Sequence, residues 1–81
     1  MNAEMIKELD KILPVVARVH GEHHPELAQV VELYQDIKTC PSKEGFEKLR
    51  KVTSDYKIPE DACPTYEKTY KDLEQLDREF V

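Results

Sequence analysis

The three histidines of this chain stand together in one string, His20-Gly21-Glu22-His23-His24-Pro25-Glu26-Leu27, and no other position carries one. Imidazole nitrogens beside the carboxylates of Glu22 and Glu26 are ligand types that hold zinc or iron. His23 and Glu26 have the i, i+3 spacing that puts two ligands on one helical face. One reading is therefore a metal site formed by His20, His23, His24 and Glu26, with a single zinc or iron ion as its cofactor. The structural alternative is that the histidines sit at helix ends and satisfy exposed carbonyls, where a protonated imidazole is also favoured by the helix dipole. Metal sites in helical bundles draw ligands from the middle of several facing helices, and a single junction does not supply that geometry.

Cys40 and Cys63 are the other reactive candidates. Each precedes a proline at the expected start of a helix, where amide donors favour thiolate and raise nucleophilicity. Against this stands the reading of both as inert structural cysteines. Successive helix starts in an antiparallel bundle lie at opposite ends, ~20 Å apart at ~1.5 Å per residue, so an intrachain disulfide is not expected. Two cysteines make neither a disulfide scaffold nor a zinc ladder, and they fit a reducing compartment. Tyr34, Tyr56, Tyr66 and Tyr70 fall at core-face spacing. No Gly-rich phosphate loop, Gly-x-Ser-x-Gly elbow or local Ser-His signature is present, so no catalytic residue is assigned and no cofactor is expected.

Helices must position these groups. Apolar residues recur at helical spacing in four segments, predicted at about 3–20, 25–38, 42–56 and 62–80. The first presents Met5, Ile6, Leu9, Ile12, Leu13, Val16 and Val19 on one face. Pro14 is expected to bend it or to mark its regular start, and Gly21 to end it in a left-handed turn. The second starts at Pro25 with His24 as its cap and buries Leu27, Val30, Val31, Tyr34 and Ile37. The third is capped by Ser42 or Thr39, carries Phe46, Leu49, Val52 and Tyr56, and is the weakest because Gly45 falls in its first turn. The fourth is capped by Asp61, has Pro64 in its first turn, and buries Tyr66, Tyr70, Leu73, Leu76 or Asp77, and Phe80. Glu44 with Lys48, Glu47 with Lys51, Glu67 with Lys71 and Glu74 with Arg78 add i, i+4 support of ~0.2 to 0.5 kcal/mol each. Short connections make neighbours antiparallel, so the expected fold is all-α, an up-down-up-down antiparallel four-helix bundle in one domain, 1–81.

Composition narrows the function classes. Eighty-one residues allow one core, and 36% charged with 40% apolar residues is a globular, helix-compatible balance. Seventeen acidic against twelve basic residues leave a charge of -5, the wrong sign for nucleic acid or an anionic membrane surface. No apolar run reaches membrane-spanning length and the first ten residues lack a secretion-signal layout, so a cytoplasmic location is expected.

Two stretches carry a resemblance. Leu13-Pro14 with Val19-His20-Gly21-Glu22-His23-His24-Pro25-Glu26-Leu27, and Thr53-Ser54-Asp55-Tyr56 with Pro59-Glu60-Asp61-Ala62-Cys63, Thr65-Tyr66 and Tyr70, resemble the hemerythrin-like domain of the iron-sulfur cluster repair di-iron proteins. The resemblance implies a helical bundle that holds two bridged irons and restores iron-sulfur centres after oxidative or nitrosative damage. Its ligands do not carry over. The family's first iron-binding histidine falls at Ile6, the segment bearing the second set is missing after Ile37, and the last histidine and glutamate would lie past Phe80. His20 and His24 match the family's loop motif and not its ligands. The expectation is a bundle without the di-iron centre, a non-catalytic module of stress-related repair that binds a protein partner or forms a homodimer. Metal binding at the histidine junction is the alternative, and thiol redox chemistry at Cys40 or Cys63 the third reading.

Overall fold

The heptad-like stripes become four helices in the computed structural model, which describes residues 3–80: α1 (Ala3–His20), α2 (Leu27–Thr39), α3 (Lys43–Val52) and α4 (Pro64–Phe80). The domain bounds of 1–81 also take in Met1, Asn2 and Val81, which lie outside the described residues. α1 packs between α2 and α4, and α2 packs on α3. Side chains close the ring: Phe46 stacks on Phe80 at 5.0 Å between centroids, and Arg50 and Tyr56 both reach Asp77. The result is the expected all-α, up-down-up-down bundle. Among the described residues no helix is long and apolar enough to cross a membrane.

The interior is filled by Leu9, Leu13 and Val16 of α1, Leu27, Val30, Tyr34 and Ile37 of α2, Phe46 and Leu49 of α3, and Tyr66, Tyr70, Leu73 and Leu76 of α4. Burying each such aliphatic side chain contributes about 1.5 to 3 kcal/mol. Val19 is not among them; it is 61% exposed. At 100° per residue it lies about 80° round the helix from Leu9, whereas His20 falls about 20° from it and continues the inward stripe. Pro14 does not break α1, which runs unbroken from Ala3 to His20. The ring sits on the exposed face, where the carbonyl it leaves without a helical donor meets solvent.

Gly21 does not adopt a left-handed conformation. A Cβ there would stand 2.3 Å from the Ala17 carbonyl oxygen, so glycine is needed for close approach. The amides of Gly21, His23 and His24 then close the end of α1 on the carbonyls of Ala17 and His20 at 2.9 to 3.1 Å.

Three helix boundaries differ from expectation. Regular α2 starts at Leu27, because Pro25 and Glu26 form a turn whose carbonyls accept from Ala28, Gln29 and Val30. Helix α3 is capped by Ser42, whose Oγ accepts from the Gly45 amide at 3.0 Å, but it stops at Val52 rather than Tyr56. Ser54, Asp55 and Tyr56 all have positive φ, between 54° and 63°. Each left-handed non-glycine residue costs roughly 1 to 2 kcal/mol, and the turn is held by Thr53, whose Oγ1 donates to the Leu49 carbonyl at 2.8 Å and accepts from the Tyr56 amide at 2.9 Å. Helix α4 begins at Pro64, and Cys63, not Asp61, occupies the capping position: its carbonyl accepts from Glu67 and its Sγ from the Tyr66 amide at 3.4 Å. Of the surface pairs, Glu44–Lys48, Glu67–Lys71 and Glu74–Arg78 are ion pairs.

Candidate functional site

Because α1 and α4 are antiparallel, the last residue of one meets the residue before the other. His20 Nε2 lies 3.2 Å from Cys63 Sγ, sharing a hydrogen bond across 43 positions of sequence. Both side chains are half-buried. Tyr66, one turn into α4 and fully buried, turns its ring edge-on to His20 at 5.0 Å, to His24 at 5.5 Å and to Tyr70 at 5.1 Å. Its hydroxyl is buried and makes no well-formed hydrogen bond, only a weak contact with the Tyr70 phenol, and burial pushes the phenol above its ordinary pKa.

His24 and Asp61, the two residues expected as helix caps, instead bind each other. His24 Nε2 lies 3.0 Å from both carboxylate oxygens of Asp61, and Nδ1 lies 3.2 Å from Glu26 Oε1. This ties the α1–α2 connection to the α3–α4 connection. The Asp61 carboxylate holds the His24 imidazole above its ordinary value of 6.5, and Glu26 adds to the effect. His24 in turn holds Asp61 below 3.8.

The tie therefore has a pH window. A histidine raised by folding contributes stability that is fully present below 6.5 and is lost as pH rises through its raised value. Asp61 contributes above 3.8 and loses its share as pH falls through its depressed value. An NMR titration is expected to place the His24 midpoint above 6.5 and Asp61→Asn to bring it back down. A midpoint at or below 6.5 in the unmodified chain refutes the pairing.

The candidate ligands His20, His23, His24 and Glu26 are thus divided among different partners. His20 goes to Cys63, and His24 joins Glu26 to Asp61. His23 is exposed and joins neither pair. Among the described residues, no group of three or more His, Cys, Asp or Glu side chains is arranged to hold a metal ion. Cys40 is exposed at the other end of the bundle, where its amide caps α2 on the Asp36 carbonyl. Both cysteines are free thiols.

Sequence reading did not find the carboxylate contacts between helices made by Asp77 and Asp10, or the burial of Asp72. Asp77 accepts from Arg50 Nε at 2.7 Å and Nη2 at 3.2 Å and from the Tyr56 hydroxyl at 2.8 Å. Asp72 accepts from Lys68 at 2.7 Å and keeps Oδ2 buried without a well-formed bond; burial raises its carboxyl above the ordinary range, and the neighbouring Glu8 adds to the effect. Asp10 accepts from the Tyr34 hydroxyl at 2.7 Å and from Lys38 at 2.9 Å. The only sequence signal was at Asp77, which shares the inward stripe with Leu76. A groove of about 190 Å³ beside Glu26 is lined by Ser54, Lys57 and Tyr70. A groove of about 810 Å³ runs between α3 and α4 past Arg50, Tyr56, Asp77 and Phe80, and no cysteine lines it.

With this geometry in view, two relatives are informative. The chain is similar to the iron-sulfur cluster repair protein ScdA from two strains of Staphylococcus epidermidis, RP62A and FDA PCI 1200, at 24% identity in each case. The alignments take in 94% of this chain and 52% of each relative, so the chain spans about half the length of the curated relatives it matches. They extend over 116 positions, more than the 81 residues available here, so the relatives carry stretches that this chain lacks. This is a distant relation to an iron-sulfur cluster repair protein. No family model and no solved structure matches the chain.

Proposed function

We propose that this chain is a metal-free helical bundle on the scaffold of the hemerythrin-like repair domain, and that it serves iron-sulfur cluster repair under oxidative or nitrosative stress as an interaction or regulatory module, through a protein partner or a second copy of itself. The similarity to ScdA supports the repair context. The composition of the interior carries the rest. A di-iron centre needs about six histidine and carboxylate ligands projecting inward from four helices. Here the inward positions are Leu9, Leu13, Val30, Tyr34, Leu73 and Leu76, all buried, and Ile6 packs against them where the resemblance places the first iron ligand. Of the buried carboxylates of α4, Asp77 is engaged by Arg50 and Tyr56, and Asp72 is engaged by Lys68 through one oxygen only. This donor set does not fit a di-iron centre.

The interaction role is supported by the outer face of α1, where Val15 and Val19 stand one turn apart, 41% and 61% exposed. Iron analysis of the anaerobically purified chain, run with light scattering after size exclusion, tests the proposal. Background iron is expected. A di-iron stoichiometry per chain overturns it, and the measured mass distinguishes self-association from a chain that needs another partner.

A further inference from the structure

We propose that Cys63 and His20 form a thiol-exchange site that takes small disulfides: Cys63 is the nucleophile, His20 its base, and the product a mixed disulfide on Cys63. Three observations combine. The imidazole and the sulfur lie 3.2 Å apart although they come from the ends of two different helices, so the pair is a product of the tertiary fold. The sulfur sits at the N-terminus of α4 and accepts from the Tyr66 amide, a second donor for developing negative charge. Tyr66, fully buried, packs its ring edge-on to the same imidazole, which holds His20 over the sulfur. Both residues are half-buried, with Cys63 packed against the edge of the core, which suits a small disulfide as co-substrate and not a bulky one.

The exchange balances without any further reagent. His20 Nε2 takes the thiol proton, and the Cys63 thiolate attacks one sulfur of the disulfide. The S–S bond breaks, its electron pair leaves on the other sulfur, and that sulfur recovers the proton from His20. Cys63 is oxidised to the mixed disulfide and half of the co-substrate is reduced to free thiol. Cys40 stands at the opposite end of the bundle, so release of Cys63 falls to a second small thiol. The site is independent of partner binding and of iron content.

Cys40 is the internal control, since it is the more exposed thiol and has no histidine at its sulfur. The folded chain is treated with dithiobis-nitrobenzoate or with oxidised glutathione, and each cysteine is followed by peptide mass mapping. Cys63 is expected to form the mixed disulfide about tenfold or more faster than Cys40. His20→Gln is expected to bring Cys63 to the Cys40 rate or below while the Cys40 rate stays constant, and Cys63→Ser to abolish the fast phase. Circular dichroism verifies that His20→Gln remains helical. If it does not, the unmodified chain decides, by the Cys63 rate against the Cys40 rate at one pH. Cys63 reacting no faster than Cys40 in the unmodified chain overturns the proposal, as does a folded His20→Gln variant with the Cys63 rate unchanged.

Discussion

Tyr66→Ala is expected to lower stability by about 3 to 5 kcal/mol, the range for deleting a buried aromatic ring, whereas Tyr66→Phe leaves it unchanged or raises it. The ring is fully buried and touches His20, His24 and Tyr70, so its removal opens a cavity where the two long connections meet α4. A domain of this length holds about 4 to 12 kcal/mol in all, so the loss is a large share of the total. At roughly 4 to 8 °C per kcal/mol the melting temperature falls by about 12 to 40 °C. The hydroxyl, by contrast, is buried with no well-formed hydrogen bond and only a weak contact to the Tyr70 phenol, and a poorly satisfied hydroxyl costs about 1 to 3 kcal/mol. Phenylalanine keeps the ring and removes that cost. Urea titration of the three chains decides between these effects, and a Tyr66→Phe variant destabilised by more than about 1 kcal/mol assigns a partner to the hydroxyl and refutes this account.

Asp77→Ala is the second large effect, about 2 to 4 kcal/mol. Breaking a fully buried ion pair costs roughly 3 to 5 kcal/mol, and the lower figure applies because the Arg50 side chain is 36% exposed and regains water. The Tyr56 hydroxyl has no such relief, since Tyr56 is buried and Asp77 is its acceptor. Burial and the neighbouring Asp77 carboxylate both raise the Tyr56 phenol above its ordinary pKa, so it remains a donor at every pH at which the fold is studied. Losing this anchor also frees the left-handed turn at Ser54, Asp55 and Tyr56 to relax. Tyr56→Phe and the double variant complete the cycle. A coupling energy above about 1 kcal/mol is expected between directly bonded groups, and additive effects would sink the proposed anchor.

Only the second of these effects arises where the backbone departs from simple helix logic, at the left-handed turn that carries Tyr56. The stripes Leu9-Leu13-Val16, Leu27-Val30-Tyr34-Ile37 and Tyr66-Tyr70-Leu73-Leu76 were legible because helical neighbours three and four residues apart are set by local geometry. Ser42 was legible as a cap for the same reason: it bonds an amide three residues away. His24 and Asp61 were each assigned to a local cap, and both assignments failed because a partner 37 residues distant binds more strongly than the nearest free amide. Helix α3 was read as running to Tyr56 because its apolar spacing continues that far, and nothing in Thr53-Ser54-Asp55-Tyr56 announces three left-handed residues in succession.

By itself, the order of residues determined four helices, their inward faces, the antiparallel connections and a largely apolar interior. Tertiary structure alone decided that His20 faces Cys63, that His24 joins Glu26 to Asp61, and that Asp77 is shared by Arg50 and Tyr56. The physical reason is range. Helix formation and amphipathicity depend on contacts within a turn or two, while each of these pairs depends on how a loop returns the chain, and that path is settled by close approach at Gly21 and by the strained turn after Thr53.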